Sequence, residues 1–266
     1  MGAHRSAATE AFERLVGIMR ILRGPQGCPW DRQQDVRSLR RYVLEESYEV
    51  VQAIDDGDPG ELAGELGDLL LQVVFLSQIA SEAGQFDIEA VITRISDKLV
   101  RRHPHVFSGQ RVETSEEVLH RWEMMKLQER GGGSVLDDMP AALPALARAE
   151  KLGRRSAQLS FDWPGVAEVM AKVREELTEL SGVLQPDTGG ESPQAASGAD
   201  IEAELGDLLF AVANLARHLG LSAEVALRHA SDKFERRFRS IEPQIVAGKV
   251  SDPEAMDQLW EQVKGR

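Results

Sequence analysis

Apolar residues return at three- and four-residue steps along most of the chain, and few runs alternate as strands do. The pattern predicts an all-α protein. The clearest stretch is residues 44–72, "LEESYEVVQAIDDGDPGELAGELGDLLLQ". Within it Gly57 suits a left-handed helix stop, Asp58 an N-cap and Pro59 the first turn of the next helix. A helical hairpin is therefore expected, with its two helices antiparallel and side by side. The following residues, "LGDLLLQVVFL", are apolar almost all round, as are "LGDLLFAVANL" further on. Such helices are expected to be buried and to need neighbours on more than one face, which predicts a dimer.

The pattern also repeats. "EESYE" at Glu45 returns as "EELTE" at Glu175, "ELGDLL" at Glu65 as "ELGDLL" at Glu204, and "SDKLVRR" at Ser96 as "SDKFERR" at Ser231. "WEMMK" at Trp122 has its counterpart in "WEQVK" at Trp260. Glu46 and Glu176 lie 130 residues apart, and Glu65 and Glu204 lie 139 apart. Blocks in the same order at near-constant offset indicate a tandem duplication. The junction falls near the Gly- and Pro-rich "ERGGGSVLDDMPAALP", so the expected division is a helical domain over 1–130, a linker over 131–150 and a second helical domain over 151–266. The second copy carries an insertion inside its hairpin, residues 185–200, "QPDTGGESPQAASGAD", which reads as a flexible loop.

Charge and composition narrow the partners. A net charge of -13 over 266 residues argues against a stable nucleic-acid complex, and an anionic substrate would need a basic patch or a bridging metal. The one cysteine, Cys28, excludes an internal disulfide and a cysteine metal cage, and fits a reducing cytoplasm. The N-terminal residues do not read as a signal peptide, and "LLLQVVFLSQIA" is too short and interrupted to span a bilayer. A soluble cytoplasmic protein is expected. No GxxxxGK[ST], GxSxG or HExxH occurs, so neither a P-loop nor those hydrolase sites are present.

The acids carry the chemistry. Residues three apart share a helix face, so Glu46 and Glu49 point together, as do Glu65 and Asp68 on the partner helix. Pairing the helices can bring four carboxylates to one point. Like charges so placed repel by about 0.2–0.5 kcal/mol per pair even when exposed, and a hard divalent cation such as Mg2+ reverses that sign. The bland alternative is a solvated polar face. Against it stand the apolar flanks and the retention of the acids in both copies, whose remaining residues diverge widely. Lys233 and Arg237, four apart, could both reach phosphate oxygens, as could Lys98 and Arg102; otherwise they are an ordinary basic surface.

These residues together resemble the all-α nucleoside triphosphate pyrophosphohydrolases of the MazG family. "GCPWD" at Gly27, "EESYEV", "GELGDLLLQVVF", "SDKLVRRHPHVF", "ELGDLLFAVANLARHLG" and "KFERRF" match its run of motifs over nearly the full length. The resemblance implies hydrolysis between the α and β phosphates of a nucleoside triphosphate, giving a monophosphate and pyrophosphate. It implies Mg2+ as cofactor, with Mn2+ as an alternative, and a homodimer of helical bundles. It also points to the second domain as the chief catalytic one. On that reading Glu176, Glu179, Glu204 and Asp207 are the metal ligands, and Glu175 orients the attacking water or adds a ligand. A second candidate metal site is formed by Glu46, Glu49, Glu65 and Asp68. Lys172, Lys233, Arg237, Trp260 and Lys264 are the expected substrate-binding residues, with Lys98, Arg102, Trp122 and Lys126 as first-copy counterparts. Trp260 would offer a ring to the base and Lys264 a charge to phosphate, the alternative being a tryptophan that only packs.

Both copies keep their acids, but their basic helices differ. Pro104 should end the first one almost at Arg102, whereas the second can continue to about Pro243 and hold Lys233 and Arg237 more firmly. The second copy is therefore favoured for catalysis. Two other readings stand beside it: a regulatory metal- or nucleotide-binding bundle without turnover, and a purely structural helical dimer.

Overall fold

The computed structural model of the chain describes residues 6–109, 133–184, 197–247 and 252–264, together with 114, 117, 118, 121 and 125. Every regular element among the described residues is a helix. The chain divides into two compact units, Met1–Ser115 and Glu116–Arg266.

The first unit holds α1 (Ala7–Arg23), α2 (Pro29–Gln33), α3 (Arg40–Asp56), α4 (Pro59–Glu82), α5 (Ile88–Arg102) and α6 (Pro104–Phe107). The hairpin forms as its residues dictate. Gly57 closes α3 with φ 74°, a conformation an L side chain resists, and the Asp58 carboxylate accepts from the Gly60 N–H at 2.7 Å to open α4. Met19, Leu39, Val74 and Phe75 form the core, with Phe12, Leu15, Tyr42, Leu71 and Ile79 packed around it. Trp30 stands edge-on to Tyr42 and Phe75. Arg23 ties the C-terminal ends of α1, α2 and α4 together: its guanidinium pairs with Glu82, donates to the Gln34 carbonyl at 3.1 Å, and lies over the Phe75 ring. The same pairing holds the Glu82 carboxyl below its ordinary range. As expected, Pro104 separates α5 from the short α6.

By length and composition α4 could cross a bilayer. Within its unit it is the central helix: Val74, Phe75 and Ala80 are buried, while Glu61, Glu65 and Asp68 stand in its first turns.

The second unit holds α7 (Ala145–Ala157), α8 (Val166–Leu184), α9 (Gly198–His218), α10 (Ala223–Val246) and α11 (Pro253–Lys264). α7 begins at Ala145, inside residues 131–150. Its Gly153 lies so close to α9 that a Cβ there would stand 2.0 Å from the side-chain oxygen of Asn214. Asn214 is fully buried; its amide donates to the Phe210 carbonyl at 3.1 Å and its oxygen accepts from Arg217 at 3.1 Å. Arg217 in turn grips Asp162, which also meets His218 at 3.0 Å. That grip, Arg217 first, holds the Asp162 carboxyl down at about 2. Glu150 of α7, also buried, accepts from the Ala223 N–H at 2.5 Å and so caps α10 from outside.

Three expectations need correction. The inserted segment does not stay irregular to residue 200: α9 starts at Gly198, because Ser197 and Asp200 form a reciprocal capping box. The rest of the insertion, 185–196, lies outside the described residues. α10 does not stop at Pro243 but carries it internally and ends at Val246, since proline lacks a donor but keeps its carbonyl, which accepts from the Ala247 N–H at 3.1 Å. The hairpin helices are also less buried than their composition suggests. Leu66, Leu70 and Val73 on α4, and their counterparts Leu205, Leu209 and Val212 on α9, are all 38–49% exposed. One chain covers only one face of each helix.

Candidate functional site

The carboxylates converge between the two helices of each hairpin. In the second unit Glu175, Glu176 and Glu179 stand on α8, Glu204 and Asp207 on α9. Glu176 is the hub. Its ligand atoms fall within 4.8 Å of those of Glu204 and Asp207 across the helix pair, and within 4.8 Å of those of Glu175 and Glu179 along its own helix. Glu176 is itself 5% exposed, whereas Glu175, Glu179 and Asp207 are exposed and Glu204 half-buried. Removal from water, followed by the charge of Glu176, raises the Glu179 carboxyl above its ordinary value. Among the described residues the cation paired with this cluster is Lys172, one helical turn before the acids. Its ammonium meets Glu175 at 2.6 Å and Glu176 at 2.7 Å. Those two carboxylates, Glu175 foremost, push its pKa up, so it stays charged.

In the first unit Glu46 and Glu49 on α3 and Glu65 on α4 bring their oxygens within 4.8 Å of one another. Asp68 falls outside that spacing, although its charge, after burial and with that of Glu49, helps raise the Glu46 carboxyl. The opposing influence comes from Gln72, whose amide donates to Glu46 at 3.1 Å. Gln72 is buried, and among the described residues its carbonyl oxygen has no hydrogen-bond partner. A buried orphan acceptor beside an acidic cluster suits a site that takes in a ligand or its water.

Both clusters fit a hard divalent cation by the chemistry of their donors: carboxylate oxygens only, from two helices, with no nitrogen or sulfur to favour a softer metal. Glu46, Glu49 and Glu65 would hold it in the first unit. Glu176 with Glu204 and Asp207 would hold it in the second, flanked by Glu179 and Glu175.

The basic residues form a separate assembly. The Arg237 guanidinium on α10 donates to the Lys264 carbonyl on α11 at 3.0 Å, and Phe234 packs on the Trp260 ring at 5.1 Å. Lys264 pairs with Glu261, and Lys233 is exposed on α10. Arg237, Trp260 and Lys264 are thus brought together, but among the described residues no hydrogen bond or ion pair links them to the carboxylates of α8 and α9. In the first unit Lys98 lines an open groove of about 1080 Å³ with Arg94 and Arg101, bounded by the end of α4 and α5, which none of the four first-unit acids lines. Arg102 follows at the end of α5, and Trp122 and Lys126 lie outside the described residues.

Sequence reasoning did not find Gln72 or the contact of Lys172 with two acids. Both had a signal. Lys172 precedes Glu176 by four residues and Gln72 follows Asp68 by four, which places each on the acidic face of its helix.

The MazG nucleotide pyrophosphohydrolase domain matches the chain twice, over residues 34–107 and 165–241. A nucleoside triphosphate pyrophosphohydrolase of Escherichia coli K12 is 49% identical over 262 residues, covering 95% of this chain and 97% of the relative. The nucleoside triphosphate pyrophosphohydrolase/pyrophosphatase MazG of Thermotoga maritima is 41% identical over 260 residues, 96% of each chain. A nucleoside triphosphate pyrophosphohydrolase of Mycobacterium tuberculosis is 43% identical over 181 residues, covering 65% of this chain and 55% of the relative. Both matched spans contain the hairpin acids of their unit.

Proposed function

The chain belongs to the MazG nucleotide pyrophosphohydrolase family, and on that premise we propose that it hydrolyses nucleoside triphosphates to a monophosphate and pyrophosphate in a Mg2+-dependent reaction. The observation that carries the reading is the buried Glu176 with oxygens of Glu204 and Asp207 within 4.8 Å. Acids so placed repel one another, and a divalent cation reverses that.

When bound, Mg2+ would neutralise phosphate charge and lower the pKa of a coordinated water. The chain's own residues do the rest. Lys172, Lys233, Arg237 and Lys264 supply donors for the phosphate oxygens, and Trp260 a face for the base. Glu175 orients the attacking water or adds a ligand, and its tie to Lys172 keeps it beside the cluster. One water is added across the α–β anhydride: hydroxyl goes to the nucleotide phosphorus side, the pyrophosphate leaves, and a proton is released. Mn2+ would serve through the same oxygen donors.

The second unit is the catalytic one in this reading. Its basic helix α10 runs for 24 residues and is braced by α11, whereas α5 ends at Arg102. The active form is a homodimer, supported by the uncovered stripes Leu66/Leu70/Val73 and Leu205/Leu209/Val212.

Products decide the matter. The full chain is incubated with a nucleoside triphosphate and Mg2+, and the phosphorus NMR spectrum is followed. Monophosphate and pyrophosphate in equal amounts, abolished by chelator, are expected. Diphosphate with inorganic phosphate, or no turnover, would overturn the proposal.

A further inference from the structure

The two clusters differ at a matched pair of positions. Four residues before the inner glutamate stands Tyr42 in the first unit and Lys172 in the second; four after the aspartate stands Gln72 in the first and Ala211 in the second. Tyr42 is committed to packing, edge-on to Trp30. So Glu46 is satisfied by a neutral amide from across the hairpin, and Glu176 by an ammonium from its own helix.

These two solutions have opposite consequences for a cation. An amide that donates to one carboxylate oxygen leaves the negative field of its cluster intact, and its second polar atom, here unpartnered, can turn to a metal-bound water. An ammonium at 2.6 and 2.7 Å from two carboxylates sits inside the field a metal would need, and repels it. Lys172 is one-third exposed on a flexible stem, so a polyphosphate can draw it off the acids without disturbing the helix.

We infer that Lys172 is an internal counter-ion that keeps the second unit's carboxylates closed to a divalent cation until a polyphosphate takes the ammonium, so that metal and triphosphate enter that site together, while the first unit's cluster takes a cation alone. The inference rests on the metal-dependent reading above. It makes Lys172 a gate on metal loading, in addition to any contact with phosphate.

Mn2+ titration of the nucleotide-free full chain, read as free Mn2+ by electron paramagnetic resonance, tests it without turnover. A Glu46→Ala background reports the second unit by itself. In that background Lys172→Met, and Lys172→Tyr as a second variant carrying the first unit's own residue, are expected to bind Mn2+ more tightly by about tenfold or more, since a like charge held on two carboxylates of the site is removed. Lys172→Arg, which keeps the charge, is expected to bind as weakly as the parent. Circular dichroism confirms that each variant is helical. Unchanged Mn2+ affinity in folded Lys172→Met and Lys172→Tyr, with measurable binding in the parent, would overturn the gate and leave the metal reading standing. No Mn2+ binding by any variant, nor by the chain with Glu46 intact, would sink both.

Discussion

At the scale of single residues, the carboxylates separate into those whose charge the fold welcomes and those whose charge it resists. Asp162 is of the first kind. Its carboxyl is held at about 2 by Arg217 and His218, so its contribution to stability is fully present above the ordinary carboxylate pKa near 3.8 and is lost as pH falls toward 2. Asp162→Asn is expected to cost about 1.5–3 kcal/mol at pH 7, the range for hydrogen bonds to charged groups, and to flatten the acid limb of a denaturation series between pH 4 and 2. An unchanged midpoint at pH 7 would show that the guanidinium finds equal satisfaction in water. Glu179 is of the second kind. Its raised carboxyl means the folded chain holds that proton more tightly than the unfolded one, so stability declines as pH rises from 4.5 through the folded pKa. Glu179→Gln should therefore melt no lower than the parent without metal at pH 7, and should lose part of the melting-temperature gain that Mg2+ gives the parent. A lower metal-free melting point would mean that Glu179 is stabilising as a charge.

At the scale of elements, the hairpin of α3 and α4 was fully legible, because Gly57, Asp58 and Pro59 each specify a backbone state on their own. The start of α9 was not. Its capping box, Ser197 with Asp200, stands at the end of a Gly- and Ser-rich run and shares that run's composition, although S-x-x-D is a readable signature. The acids were legible by spacing alone, whereas the partners that tell the two clusters apart come from packing: Gln72 reaches Glu46 from the other helix. The approach of α7 to α9 was likewise hidden, since nothing in "EKLGRRS" says what Gly153 faces. That contact gives a sharp expectation. Gly153→Ala would place a methyl 2.0 Å from Asn214 and 3.0 Å from Arg217, both held in one hydrogen-bonded chain with Asp162. In an open helix the change would stabilise by up to about 1 kcal/mol. Here the helices must separate, and a loss of about 1–3 kcal/mol in denaturant unfolding is expected. A gain in stability would show that α7 and α9 are less tightly joined.

At the scale of the whole molecule, duplication has produced two units with the same acids and the same uncovered stripe. Leu66, Leu70 and Val73 repeat as Leu205, Leu209 and Val212, each set on the helix that also carries acids of its cluster. In the proposed homodimer a second chain would cover these stripes and take their apolar residues out of water. Sedimentation at micromolar concentration should give the mass of two chains, and Leu70→Glu with Leu209→Glu should shift it toward one. A parent chain that sediments as a monomer with its helicity intact would remove the dimer. The central claim concerns what the second unit does with its acids, and two single variants at saturating Mg2+ test it most directly. Pyrophosphate release from a nucleoside triphosphate is compared for the parent, Glu176→Ala and Glu46→Ala. The account expects Glu176→Ala to lose nearly all activity and Glu46→Ala to keep most of it; equal losses, or a greater loss from Glu46→Ala, would contradict it.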